Sequence, residues 1–316
     1  MRRLRVYSGR NRPDLTPVYE RFQSETGIET TVEMVYHHDV ERRIASERDD
    51  PKTDVLLTNS QLAPELARPQ GIFEPYESPV ARAYDPWLRA EDFSWLSFTA
   101  WPRVAMVHTG VLPDREAWPT ALDDLRDPRF RDQVACAALV ETTTVAQFAA
   151  LRVVRGDAYV IALIDALFAN GMRVYPSNLR TREALVREPR AVALANASNV
   201  YVFADDGQPV TEAWLDQGPG GMGTHVEAHT VALVRGAPNP AEARAFIDHL
   251  LSPDTQTFLA RTFGETPVNP RADHGTVRPL STITRLDASL AQVAALVEST
   301  VALLKASGFD VKERAA

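Results

Sequence analysis

Residues 4–34 run LRVYSGRNRPDLTPVYERFQSETGIETTVEM, and this stretch decides the fold class. Apolar and polar residues alternate at its start, which predicts a β-strand ending at Ser8. Val18 and Phe22 then recur at the spacing of one helix face, and Gly27 is the type of residue that ends a helix. Alternation resumes after Gly27, so the order strand, helix, strand predicts a βαβ unit.

The same rhythm continues along the chain. Amphipathic helices are predicted after Pro240 and from about residue 286 to 305. Helices that alternate with buried strands indicate α/β layers in which both faces of a sheet are covered. The further predicted strands lie at 54–57, 102–108, 133–139, 171–175, 191–195 and 226–234.

Length and composition limit the class of protein. A chain of 316 residues has room for about two domains. Hydrophobic residues make up 45% and charged residues 24%, which is typical of a globular protein. The net charge of −8 argues against nucleic acid and anionic membranes as partners, and the sequence has no apolar run long enough for membrane insertion. A single cysteine, Cys136, excludes an internal disulfide. We also expect the protein to be a monomer.

Polar residues follow several of the predicted strands, at the point where a helix begins. In open α/β sheets, ligands bind beyond the carboxyl ends of the strands, where helix starts direct free N–H groups into a crevice. Helix capping is the alternative role for each of these side chains. The candidate ligand-binding residues at these junctions are Ser8, Asn59, Glu141, Thr142, Thr143, Asn178 and Asn196.

A collinear series of motifs across residues 4–270 resembles the solute-binding proteins of ABC importers, of the periplasmic ferric-ion-binding type. The residues that carry it are Val6-Tyr7-Ser8-Gly9, Glu25-Thr26-Gly27-Ile28, Asp54-Val55-Leu56, Trp101-Pro102-Arg103-Val104, Thr142-Thr143, Asn178, Gly223-Thr224, Thr230 to Val234, and Gly236 to Pro240 with Ser252-Pro253.

The resemblance implies a type II periplasmic-binding-protein architecture, in which two α/β lobes close on a central ligand cleft. We place the N-terminal lobe at residues 1–100 plus 229–270 and the C-terminal lobe at 101–228 plus 271–316. The implied function is capture of a small ligand for an ABC transporter permease, without enzymatic activity. The implied location is periplasmic or extracellular. Because the chain starts directly with a predicted strand, we expect that an export signal has been removed from this sequence.

The resemblance also implies roles for individual residues. The Thr142 and Thr143 loop matches the family loop that holds a phosphate or carbonate, and Asn178 and Asn196 match its polar helix-start partners. Arg103 is then expected to neutralise the charge of the anion. Glu141 stands where relatives have a small residue, and a carboxylate there favours a ligand that also carries a cation or amine.

The ligand class stays open between two alternatives. Ferric-binding relatives carry adjacent tyrosines just after the position of Asn196, where this chain has Ala197 and Ser198. Phenolate oxygens are hard donors suited to iron(III). The sequence therefore predicts either iron(III) with a companion anion, or an organic phosphate, phosphonate or amine-containing solute. No cofactor is expected apart from iron(III) or another metal ion bound as ligand.

One local pattern suggests a metal site. His225, Glu227 and His229 alternate along a predicted strand, which directs all three side chains to one face. A metal-dependent enzyme that uses these residues is the alternative to a receptor. The spacing is also explained if the three side chains form the ordinary polar face of a half-buried strand. A sensor subunit with the same fold is a third hypothesis for the function of the protein.

Overall fold

The computed structural model describes residues 2–10, 15–35, 40–139, 142–188 and 190–311. The chain divides into two compact units. Unit 1 comprises Met1–Ala100 and Glu227–Leu280, and unit 2 comprises Trp101–Val226 and Ser281–Ala316. The chain returns from unit 2 to unit 1 at residue 227 and passes from unit 1 to unit 2 again at residue 281. The sequence predicts these two boundaries at residues 229 and 271.

The described residues contain strands, α-helices and short 3-10 helices. The strands are β1 (Arg3–Ser8), β2 (Glu29–Met34), β3 (Val55–Thr58), β4 (Phe73–Glu74), β5 (Leu96–His108), β6 (Val134–Ala137), β7 (Arg173–Tyr175), β8 (Val192–Asn196), β9 (Val210–Ala213), β10 (Val226–Val234) and β11 (Thr266–Pro267). The α-helices are α1 (Thr16–Thr26), α2 (Val40–Ser46), α3 (Leu62–Ala67), α4 (Thr142–Ala169), α5 (Asn178–Arg187), α6 (Ala197–Asp205), α7 (Pro240–Leu251), α8 (Pro253–Phe263) and α9 (Leu290–Ala306). The 3-10 helices are Arg68–Gln70, Ala81–Ala83, Pro86–Leu88, Arg115–Ala117, Leu122–Arg126, Pro128–Phe130 and Leu280–Thr282.

Unit 1 is built around the strand order β2-β1-β3-β10. The first three strands are parallel, and β10 runs antiparallel to β3 with Thr230 opposite Thr58. The short strand β4 pairs with β10, and β11 pairs with the first part of β5. Because β10 is antiparallel to β3, its first residues lie beyond the carboxyl end of β3.

Unit 2 is built around the order β5-β8-β6-β7. Strands β6, β7 and β8 are parallel, and each leads into a helix. Strand β5 runs antiparallel to β8, which brings Arg103 opposite Asn196, and it also pairs with β9. The long helix α4 contains a break at Gly156, whose φ of 79° is easily adopted only by glycine.

The opening βαβ unit shows why the local sequence folds as predicted. Val18 and Phe22 are buried on one face of α1, and Phe22 packs edge-on against Phe246 of α7 with ring centroids 5.2 Å apart. Gly27 ends the helix with a φ of 69°, and its N–H donates to the carbonyl of Gln23. The prediction of strand, helix and strand is confirmed.

Strands β5 and β10 are buried along their whole length, which is why they read as nearly continuous apolar runs. The sequence placed β10 at its observed bounds, but it started β5 at residue 102 rather than at Leu96. No helix of the described residues is both long enough and apolar enough to cross a bilayer.

Candidate functional site

The carboxyl ends of β6, β7 and β8 carry most of the polar residues that the sequence singled out. Helix α4 begins at Thr142, α5 at Asn178, and α6 directly after Asn196. Since the three strands are parallel, the three helix starts lie at one edge of the sheet in unit 2. The first N–H groups of a helix have no partner within the helix and carry the positive end of its dipole, so this edge favours a negatively charged group.

Side-chain hydrogen bonds connect the residues of this edge. The amide nitrogen Nδ2 of Asn178 donates to Oγ1 of Thr143 across 3.2 Å, which links the starts of α5 and α4. Nη1 of Arg103 donates to Oδ1 of Asn196 at 2.8 Å, and its Nε donates to Oε1 of Gln147 at 2.9 Å. The structure therefore brings together Thr143 with Asn178, and Arg103 with Asn196.

Arg103 is a buried cation, with 1% of its surface exposed. The amide oxygens of Gln147 and Asn196 orient the guanidinium. Its charge acts on two neighbours. Burial, and secondarily Arg103, lower the pKa of His225 to about 3, while burial raises the pKa of Cys136 to about 11 against a smaller opposing effect of Arg103.

A small cavity lies next to the guanidinium of Arg103. Its volume is about 10 Å³, and its lining includes Gln147, Thr224 and His225. This is about the space that a single water molecule needs. Nε2 of His225 is buried and has no hydrogen-bond partner, and its ring packs edge-on against Trp101.

Helix capping, the alternative role of these polar residues, applies to some of them and not to others. The Ser177 side chain accepts the backbone N–H of Arg180 and caps α5. Asn196 occupies the N-cap position of α6 but makes no capping bond, because its oxygen binds Arg103. The side chain of Asn196 is therefore oriented towards the guanidinium of Arg103 and does not cap the helix.

In unit 1, Ser8 and Asn59 lie at the ends of β1 and β3. The hydroxyl of Ser8 accepts the backbone N–H of Arg10 at 3.1 Å and can donate to its carbonyl, so it forms part of a tight turn. Nδ2 of Asn59 donates to the carbonyl of Gly9 at 3.3 Å. Ser8 is thus engaged within its own loop, and Asn59 joins the loop after β3 to the loop after β1.

A buried ionic network lies near the same strand ends. Nη2 of Arg10 is 2.5 Å from Oε1 of Glu265, and both side chains are almost fully buried. The Thr99 hydroxyl donates to Oε2 of Glu265 and lies 2.8 Å from Nδ1 of His229, so a proton on Nδ1 completes the chain of bonds. Burial alone would raise the pKa of Glu265, but the charge of Arg10 holds it well below its usual range.

Glu227, at the start of β10, is another buried acid of unit 1. The Ser60 hydroxyl donates to its Oε1 at 2.8 Å, and Oε2 has no hydrogen-bond partner among the residues that the structure describes. Burial raises the pKa of Glu227 to about 8, against a smaller lowering by the Ser60 bond. The carboxyl group is therefore mostly protonated at neutral pH.

The structure corrects the predicted metal site on this strand. His225 belongs to unit 2, while Glu227 binds Ser60 and His229 binds Thr99 and Glu265 in unit 1. Among the residues that the structure describes, no group of three or more His, Cys, Asp and Glu side chains could hold a metal ion. Among the described residues, these three side chains therefore do not form the shared metal site that a metal-dependent enzyme would need.

Glu141, the remaining predicted ligand residue, lies outside the described residues. Sequence reasoning missed Gln147, Thr99 and Glu265. Gln147 lies on the buried face of α4 five residues after Thr142, a position where a polar residue amid apolar ones was the available signal. No local sequence pattern predicts the buried bonds of Thr99 or Glu265, because their partners are distant in the sequence.

Comparison with known proteins gives a family match over most of the chain. Residues 50–287 match the family described as bacterial extracellular solute-binding protein. The chain is 28% identical over 273 residues to Iron uptake protein A1 of Synechocystis, an alignment that covers 84% of this chain and 75% of that protein.

Solved structures show the same fold. Iron-bound HitA from Pseudomonas aeruginosa superposes with a TM-score of 0.84 at 20% identity, covering 98% of this chain and all of that one. A ferric binding protein from Campylobacter jejuni gives a TM-score of 0.83 at 16% identity, covering 96% and 99% of the two chains. The predicted type II periplasmic-binding-protein fold is confirmed.

Proposed function

Because the chain belongs to the family of bacterial extracellular solute-binding proteins, we propose that it is the substrate-binding component of an ABC importer and holds its solute by an oxyanion group. The permease of that importer is its protein partner, and the protein acts outside the cytoplasmic membrane. The oxyanion is the phosphate or phosphonate group of a small organic solute.

The observation that carries this proposal is the convergence of three helix starts on one sheet edge of unit 2, next to a buried guanidinium. Thr143 and Asn178 connect two of the starts, and Asn196 connects the third to Arg103. Free N–H groups, hydroxyls and a guanidinium are all hydrogen-bond donors, and an oxyanion is the ligand that accepts from all of them.

Titration calorimetry with inorganic phosphate, methylphosphonate and glucose 6-phosphate tests the proposal. We expect binding of at least one of these probes. The double variant Thr142→Ala with Thr143→Ala removes two hydroxyl donors and should weaken binding at least tenfold, since each bond to a charged group contributes about 1.5–3 kcal/mol. If the double variant binds every probe as tightly as the unchanged protein, the proposed site is wrong.

A matched control separates binding from stability. Ser289 caps α9, also in unit 2, through a capping box with Gln292. Ser289→Ala removes a hydroxyl from a helix start and should lower stability by about 1 kcal/mol while leaving phosphate affinity unchanged.

A second candidate is iron(III) together with a companion anion. It is favoured by the names of the relatives, which include iron uptake and ferric binding proteins. Ala197 and Ser198 supply no phenolate, so an iron site here would need Tyr201, a buried residue of α6, or donors brought by the ligand itself.

Addition of ferric citrate to the protein distinguishes the two candidates. An iron–phenolate bond would produce a visible absorption band that disappears in Tyr201→Phe. If phosphate binds in the absence of iron and ferric citrate produces no band and no heat, the organic oxyanion is the solute.

A further inference from the structure

Glu227 has the features of a ligand-binding group that has no use within the folded chain. It is 2% exposed, and among the described residues one carboxyl oxygen, Oε2, has no hydrogen-bond partner. Buried carboxyl groups that serve only the fold normally have both oxygens bonded, because an unpaired buried polar atom destabilises the folded state.

The position of Glu227 is one where α/β sheets bind ligands. Strands β1 and β3 are parallel neighbours that end at Ser8 and Thr58. Thr230 lies opposite Thr58, so Glu227 lies three residues further, beyond the carboxyl end of β3. The Ser60 hydroxyl accepts the N–H of Leu62 and donates to Oε1, which fixes the carboxyl group at this edge.

Within the part of the chain that the structure describes, the charges of unit 1 near these strand ends form no ion pair with Glu227. Arg10, on the loop after β1, and Glu265, between α8 and β11, form an ion pair and compensate each other. His229, two residues further on β10, is neutral at pH 7, because burial, followed by the charge of Arg10, lowers its pKa. The ionised form of Glu227 therefore calls for one positive charge from outside the cluster of Arg10, Ser60, Glu227, His229 and Glu265.

We propose that Glu227 and Ser60 form a subsite of unit 1 that binds a protonated amine, the ammonium group of a small solute. An ammonium group needs oxygen acceptors without a fixed coordination geometry, and Oε2 supplies a charged one. A metal ion would need several ligands in a set geometry, and the described residues offer no such group. The inference does not depend on the oxyanion site of unit 2.

Binding of the amine must release a proton. At pH 7 the group starts as a carboxylic acid, since burial raises the pKa of Glu227 to about 8. The acid gives its proton to the solvent, and the carboxylate pairs with the ammonium group. About 0.9 proton is released per amine bound at pH 7, and affinity rises about tenfold between pH 6 and pH 7. A hydroxyl ligand would show no such release.

The test compares 1,4-diaminobutane with 1,4-butanediol, which has the same length but no charge. Calorimetry is done at pH 6, 7 and 8 in two buffers of different ionisation enthalpy that contain no primary amine. We expect the diamine to bind at least tenfold more tightly than the diol, with a buffer-dependent heat that reports the released proton. Equal binding of diamine and diol, no binding of the diamine, or no proton release would each overturn the proposal.

Glu227→Gln keeps the shape of the side chain and the bond to Ser60 but cannot become charged. It should weaken diamine binding at least tenfold while its melting temperature stays equal or rises. Glu20→Gln is the matched control, because it makes the same change at an exposed position of α1 and should leave diamine binding unchanged. Unchanged diamine binding by Glu227→Gln would also overturn the proposal. Phosphate binding measured on the same samples reports on unit 2 separately, so failure of either site is recognised by itself.

Discussion

The strand ends of the two units have the same architecture and different electrostatics. In unit 2, Arg103 is a buried cation held by the neutral amides of Gln147 and Asn196. In unit 1, Arg10 is a buried cation that an acid, Glu265, neutralises. The guanidinium of Arg103 is oriented by amides at the proposed oxyanion site, whereas the guanidinium of Arg10 is paired with a carboxylate and mainly supports the fold.

The comparison teaches that a buried arginine has to be classified by its partners. The guanidinium of Arg103 is oriented by two amides, and it adds to the effect of burial in lowering the pKa of His225. A guanidinium paired with a carboxylate has its charge used within the protein. Burial alone, which is nearly complete for both arginines, does not distinguish these roles.

The largest expected effect comes from breaking the ion pair of unit 1. Glu265→Ala leaves Arg10 buried without its counter-charge and should lower the free energy of unfolding by about 3–5 kcal/mol, measured by urea denaturation. The control is Glu242→Ala, which removes the partner of the exposed Arg2 and should change stability by less than about 1 kcal/mol. Similar losses in both variants would contradict the contrast.

The next effect concerns the amide support of Arg103. Gln147→Met keeps the size of the side chain but removes the acceptor of Nε, which should lower stability by about 2 kcal/mol. Phosphate affinity should fall as well, because the guanidinium loses its orientation. A variant that loses stability and retains full phosphate affinity would assign Gln147 to the fold alone.

The pH dependence caused by Glu227 is a smaller effect when it is counted per pH unit. Its pKa is about 8 in the folded protein and 4.5 in the reference state. Between these values the folded state binds more protons than the unfolded state, so stability falls as pH rises, by roughly 1.4 kcal/mol per pH unit. Glu227→Gln should remove this slope in urea denaturation curves measured between pH 5 and pH 8. An identical slope in the variant would show that the carboxyl group is not the cause.

The smallest expected effect is that the buried imidazole of His225 does not titrate near neutral pH. Burial, and secondarily the nearby arginine, lower the pKa of both His225 and His229, to about 3 for His225. In an NMR titration from pH 5 to pH 8, the imidazole of His225 should not change its chemical shifts as a protonating group does, and that of His229 should titrate below its ordinary value. Titration of His229 near its ordinary value would mean that Arg10 and burial do not dominate its environment.

The sequence by itself determined the alternation of strands and helices. Residues such as Val18, Phe22 and Gly27 specify their element through local rules of periodicity and capping, which need no distant partner. It also placed Thr142, Asn178 and Asn196 at helix starts, since such junctions follow from the order of the elements.

Only the tertiary structure decided what those side chains do. The bond of Asn196 to Arg103, the neutralisation of Arg10 by Glu265 and the unpaired oxygen of Glu227 join or isolate residues far apart in the chain. The alternating spacing of His225, Glu227 and His229 suggested one metal site, but their partners come from different loops and strands. Spacing fixes the face on which a side chain lies, whereas its charge state and partners depend on what the folded chain packs against it.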